Sequence, residues 1–73
     1  MAGDAEHDEQ ARRERRVRER AATTHDKAAR TEREAADSSE IFGDAEAAER
    51  HREAARRQEG HADDQRRKAD DER

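Results

Sequence analysis

Seventy-three residues set a ceiling of one small domain, and 52% charged against 27% hydrophobic residues, most of the latter Ala, exclude a compact core of ordinary size. The net charge of −4 comes from 17 basic and 21 acidic side chains, a near balance that demands no polyelectrolyte partner. The lack of Cys excludes a disulfide framework and a thiolate metal site, and no apolar run approaches a membrane span or a signal-peptide core, so the expectation is a soluble, cytoplasmic protein with no membrane association.

Residues 1–9, MAGDAEHDE, are acidic and carry no apolar face, and read as a flexible tail. Helix 1 is expected over residues 10–42. Ala, Arg, Glu and Gln are strong helix formers, and no Pro interrupts them. Its first part, RRERRVRER at residues 12–20, is a basic block. Beyond it the Ala pairs Ala21-Ala22, Ala28-Ala29 and Ala35-Ala36 recur every seven residues, the mark of a helix lying along another helix.

With heptad position a placed at Ala21, the a/d series is Val17, Ala21, Thr24, Ala28, Thr31, Ala35, Ser38, Phe42. None is charged. Gly43-Asp44 follows, with Gly suited to the position just past a helix C-terminus and Asp to an N-cap. This pair is the expected turn. Helix 2 is expected over residues 45–69. Its uncharged series is Ala48, His51, Ala55, Gln58, Ala62, Gln65, Ala69. Residues 70–73 read as a second acidic tail.

These elements predict an all-α fold, an antiparallel two-helix hairpin with an Ala-rich coiled-coil seam and frayed termini. Centred on Gly43, facing residues sum to 86, and each layer sets an a position against a d position. The flanks then place Glu32 near Arg52, His25 near Glu59 and Ile41 near Ala47. They set Arg18 against Arg66 and Arg20 against Lys68, which predicts a loose open end. The alternative is one continuous helix through Gly43, since a Gly inside a helix costs only about 1 kcal/mol against Ala.

Chemistry has little to work with. His7, His25, His51 and His61 include no i,i+4 pair, so no helical HxxxH zinc site exists. His25, Glu59 and His61 come level across the hairpin, but the expectation is solvated imidazoles, no metal and no cofactor. Ser38 and Ser39 lack an apolar wall, and Gly3, Gly43 and Gly60 make no phosphate loop, so no catalytic residue, small-molecule substrate or enzyme activity is expected. Arg12, Arg13, Arg15 and Arg16 are the candidate phosphate contacts. A nucleic-acid partner is disfavoured by the absence of aromatic stacking residues beside them.

The stretch ERAATTHDKAARTEREAA…IFGDAEAAERHREAARRQEGHADDQRR, over about residues 19–67, resembles a set of small, very hydrophilic bacterial helical proteins of actinobacteria. The shared features are repeated Arg-Ala-Ala and Ala-Ala-x-x-His units, a Gly-containing break, and an Ala-Glu-Arg-His-Arg-Glu unit, here Ala48–Glu53. The resemblance implies a helical hairpin and no activity. The chain is also similar to hydrophilic late-embryogenesis-abundant stress proteins, from which it departs in using Arg rather than Lys and in having little Gly and Thr.

Taken together, the residues point to a non-enzymatic helical interaction protein. It would be a homo-oligomer, as in a four-helix bundle formed through Ile41, Phe42 and the second Ala of each pair, or would bind a protein partner. The alternatives are a hydrophilin-like stress protectant and a weak nucleic-acid binder through residues 12–20.

Overall fold

The computed structural model describes residues 2–71. Met1, Glu72 and Arg73, parts of the two expected tails, lie outside the described residues. Two helices make up the fold: α1, Ala2–Ile41, and α2, Ala45–Asp71. They run antiparallel and pack along each other as a rod of 64 × 13 × 10 Å, thick enough for only two helices side by side. The continuous-helix alternative is thereby set aside.

The turn is built by three residues. Gly43 takes φ +79°, a left-handed conformation open to Gly because it has no Cβ. Its N–H donates to Glu40 O at 2.9 Å, and Asp44 N–H donates to Ser39 O at 2.8 Å. This is the double backbone closure of a Schellman motif, which satisfies the last carbonyls of α1. Asp44 then starts α2, its Oδ1 accepting from the Ala47 N–H at 3.0 Å.

The seam is almost entirely alanine. Ala22, Ala29 and Ala36 of α1 and Ala48, Ala55, Ala62 and Ala69 of α2 are between 0% and 5% exposed. The α2 series thus faces α1 with every one of its Ala residues, while His51, Gln58 and Gln65 are half-buried.

On α1 the seam lies one residue beyond the expected series. Ala21, Ala28 and Ala35 are only half-buried, Thr24, Thr31 and Ser38 are exposed, and Val17 and Phe42 are 58% and 86% exposed. The second Ala of each pair is inside. The physical reason is what stands at the intervening positions. In the register seen, Arg18, His25 and Glu32 fall at the seam edge, and each meets a polar partner across it. Arg18 donates to Gln65 at 3.4 Å, His25 Nδ1 lies 2.6 Å from Gln58 Oε1, and His51 Nδ1 lies 2.7 Å from Glu32 Oε2. Long side chains keep their heads at the rim while Ala methyls fill the middle. The threonines are satisfied on their own helix: Thr24 and Thr31 hydroxyls donate to the carbonyls of Arg20 and Lys27. Keeping these β-branched residues out of the seam lets the two backbones approach closely.

These polar rungs bracket the Ala layers and pair residues that sum to 83, not 86. The expected flank pairs shift accordingly. Glu32 meets His51, Arg52 meets Glu40, His25 meets Gln58, Glu59 meets Arg33, and Arg18 meets Gln65 in place of Arg66.

The helices also reach further than expected. α1 begins at Ala2, not residue 10, and α2 continues to Asp71. Acidic residues suit a helix N-terminus, and within this segment Glu9 pairs with Arg12 at 3.2 Å and Arg16 at 3.7 Å, while Gln10 donates to Glu14. The Arg18–Gln65 rung places Asp71 level with about Arg12, at the equal 1.5 Å rise of both helices. Residues 3–10 of α1, all exposed, therefore run on beyond the end of α2.

Candidate interaction surface

Heptad arithmetic from the observed seam gives the hairpin two different flanks. One flank is charged. Arg33 pairs with Glu59, Arg52 with Glu40, and Arg66 with Asp26, each an Arg of one helix on a carboxylate of the other. All six residues stand four positions past a buried Ala, so a single register makes all three pairs. The Asp26 carboxyl is held below the ordinary carboxylate range by the hydrogen bond from the Arg66 guanidinium, with the charges of Arg66 and Arg30 adding to it, and Arg66 is raised in turn. These groups are solvent-accessible, so each pair adds little stability and mainly fixes register.

The other flank is small and mostly neutral. Ala21, Ala28 and Ala35 on α1, with Ala47 and Ala54 on α2, are half-buried there beside the polar rungs. The first Ala of each pair, rather than the second, thus remains on the surface.

The tip of the hairpin is the apolar end. Ile41 is 81% exposed and Phe42 86% exposed, adjacent in sequence at the close of α1. Neither folds back onto the helices. The Schellman closure holds the backbone on both sides of Phe42, so both side chains project from a fixed turn. Ile41 was expected to pack near Ala47 and instead lies open. Val17, 58% exposed, is a third apolar residue, set in a shallow groove with Arg13, Arg18, Ala21 and Gln65.

The basic block is in place but internally answered. The Arg18–Gln65 rung brings Arg15 and Arg16 level with Arg67 and Lys68, which makes this end cationic. Arg12 and Arg16 are drawn to Glu9, whose carboxyl is lowered chiefly by its hydrogen bond from Arg12. Arg66 and Arg67 pair with Asp26 and Asp64. Arg13 and Arg15 stand between these pairs on α1.

The histidines separate into distinct environments. His51 faces Glu32, and His7 sits on the α1 overhang. His25 and His61 approach across the seam with ring centroids 5.2 Å apart and planes tilted by 37°. Glu59, expected to join them, is taken by Arg33. No cluster of three or more metal-ligating side chains occurs among the described residues. The sequence signal for the His pair was present in the spacing of the two helices, but the wrong α1 register hid which neighbours it has.

Among the described residues no polar or charged side chain is buried, and no helix is long and apolar enough to cross a membrane. Comparison with known proteins finds no matching family model, no matching curated protein and no matching solved structure.

Proposed function

We propose that this chain is a non-enzymatic helical interaction protein that acts by pairing with a second copy of itself. The observation that carries the reading is the exposed Ile41-Phe42 pair at the tip of a rod whose flanks are charged or small, with Val17 as the one other exposed large apolar side chain among the described residues. Large apolar side chains held open on a rigid turn lose area from water only by meeting another surface, at roughly 25 cal/mol per Å². A two-fold arrangement sets the same patch of each copy against the other.

The tip alone is too small for a stable interface, which needs about 1,000 Å² or more in total. The half-buried Ala flank supplies the remainder. Its small side chains admit a second hairpin closely, giving a four-helix arrangement with Ile41 and Phe42 packed at the end. Enzyme activity is left out of the reading because, among the described residues, no polar or charged side chain is buried and the surface grooves are open.

Sedimentation velocity tests this. The wild-type chain is expected to sediment as a dimer or larger, and the Ile41→Ser/Phe42→Ser variant as an 8.4 kDa-class monomer with unchanged helical circular dichroism. A wild-type chain that stays monomeric at millimolar concentration overturns the reading.

A further inference from the structure

We propose that His25 and His61 form a cross-helix binding site for a divalent transition-metal ion of the Zn²⁺ type. Both residues belong to one hairpin, but His61, directly before Ala62, falls on the same flank as Ala47 and Ala54, so the titration includes the Ile41→Ser/Phe42→Ser variant to separate metal binding from self-association.

Geometry is the first argument. The ring centroids are 5.2 Å apart and the planes are inclined at 37°. Two imidazoles bound to one tetrahedral ion at metal–nitrogen lengths of about 2.0–2.1 Å have their ring centres about 5 Å apart. The observed centroid separation matches that of two imidazoles sharing one ion.

Orientation is the second. A metal-bound histidine holds its other ring N–H on an oxygen acceptor, which fixes tautomer and direction. His25 has this partner: its Nδ1 lies 2.6 Å from Gln58 Oε1. A carboxamide oxygen only accepts, so Nδ1 carries the proton and the Nε2 lone pair is left as the ligand. Gln58 reaches His25 from the opposite helix, so the same packing that closes the seam aims the imidazole.

Rigidity is the third. His61 directly precedes Ala62, which is 0% exposed, and His25 stands between Ala22 and Ala29, which are 1% and 5% exposed. Close packing on either side fixes both backbones. The nearby carboxylates are occupied, Asp26 by Arg66 and Glu59 by Arg33, so the protein supplies two nitrogens and water completes the coordination. An imidazole donor set selects Zn²⁺, Ni²⁺ or Cu²⁺ over hard cations. Because the ligands come from different helices, a bound ion ties α1 to α2.

Calorimetric titration of the whole chain with ZnCl₂ in chelator-free buffer tests the site. One ion per hairpin is expected. His25→Ala and His61→Ala should each weaken binding by about tenfold or more, and Gln58→Leu by about tenfold through the lost orienting bond. His7→Ala, His51→Ala and Ile41→Ser/Phe42→Ser should bind as the wild type does. His61 is exposed, so its variant keeps the fold, which circular dichroism verifies. Zn²⁺ should raise the thermal midpoint of the wild type and not that of His61→Ala, and MgCl₂ should do neither, since Mg²⁺ takes oxygen ligands. Equal Zn²⁺ affinity in the His25→Ala/His61→Ala double variant, or an equal response to Mg²⁺, overturns the proposal.

Discussion

Gly43 and Gly60 are chemically identical and structurally opposite. At Gly43 the backbone is left-handed, φ +79°, although the space around an added Cβ is open. Gly43→Ala should therefore destabilise the hairpin by about 1–2 kcal/mol through backbone strain alone. Gly60 lies within α2 with equally open space and no positive φ. Gly60→Ala should stabilise by about 0.5–1 kcal/mol, because Ala restricts the unfolded chain and suits a helix. Thermal unfolding of the two variants should move in opposite directions. Asp26 adds a pH dependence at the same scale. Its carboxyl is lowered in the folded chain by Arg66, so the pair's contribution is full above the ordinary carboxylate value near 3.8 and is lost as pH falls through the depressed native value. Asp26→Asn should lower the melting midpoint at neutral and basic pH, where the pair is fully formed, and leave it unchanged at acid pH below the depressed native value, so the acid limb of the stability–pH profile flattens.

The individual helix is where register is decided, and alanine neighbours make the test sharp. Ala29 is 5% exposed in the seam and Ala28, one residue before it, is half-buried on the flank. A Leu at position 29 would force the helices apart. Ala29→Leu should cost about 1–3 kcal/mol, the usual range for overpacking. Ala28→Leu should cost far less, because its side chain extends along the surface. Reversal of that order in chemical denaturation would return the seam to the register in which Ala28 is inward. The same reasoning explains the polar rungs. A layer holding only methyl groups has room beside it for Arg18, His25 and Glu32, whose heads find Gln65, Gln58 and His51 at the rim. Charge at such positions is tolerated because the rim is wet.

For the whole molecule, shape carries the argument. A 40-residue α1 is about 60 Å long at 1.5 Å per residue, which accounts for the 64 Å axis, and α2 covers only part of it. The rod has a charged flank, an Ala flank, an apolar tip and an overhang where Glu9 answers Arg12 and Arg16. Side-by-side pairing through the Ala flank would thicken the rod while bringing the tips together. Small-angle scattering on the concentration series used for sedimentation should then show the cross-sectional radius rising with association, while Ile41→Ser/Phe42→Ser stays near the single-hairpin radius of gyration of 17.5 Å.

The chain by itself determined the two helices, the turn and the alanine seam. Helix propensity without Pro, the heptad return of Ala, and a Gly-Asp stop-and-start are local or periodic signals, and Gly43 and Asp44 act where their chemistry said they would. The α2 face was legible because the doubling stops after Ala54-Ala55: Ala62 and Ala69 stand singly, between His61 and Asp63 and between Lys68 and Asp70, and fix which alanine of each earlier pair continues the heptad. On α1 the doubled alanines leave two faces of nearly equal polarity, and the one free of charge is not the one that docks. Tertiary structure decided between them, because Gln58, Gln65 and His51 reward Arg18, His25 and Glu32 only when α2 lies alongside. The open tip and the His25–His61 approach follow from that same docking: which side chains meet across two helices depends on their relative rotation, a quantity no single helix contains.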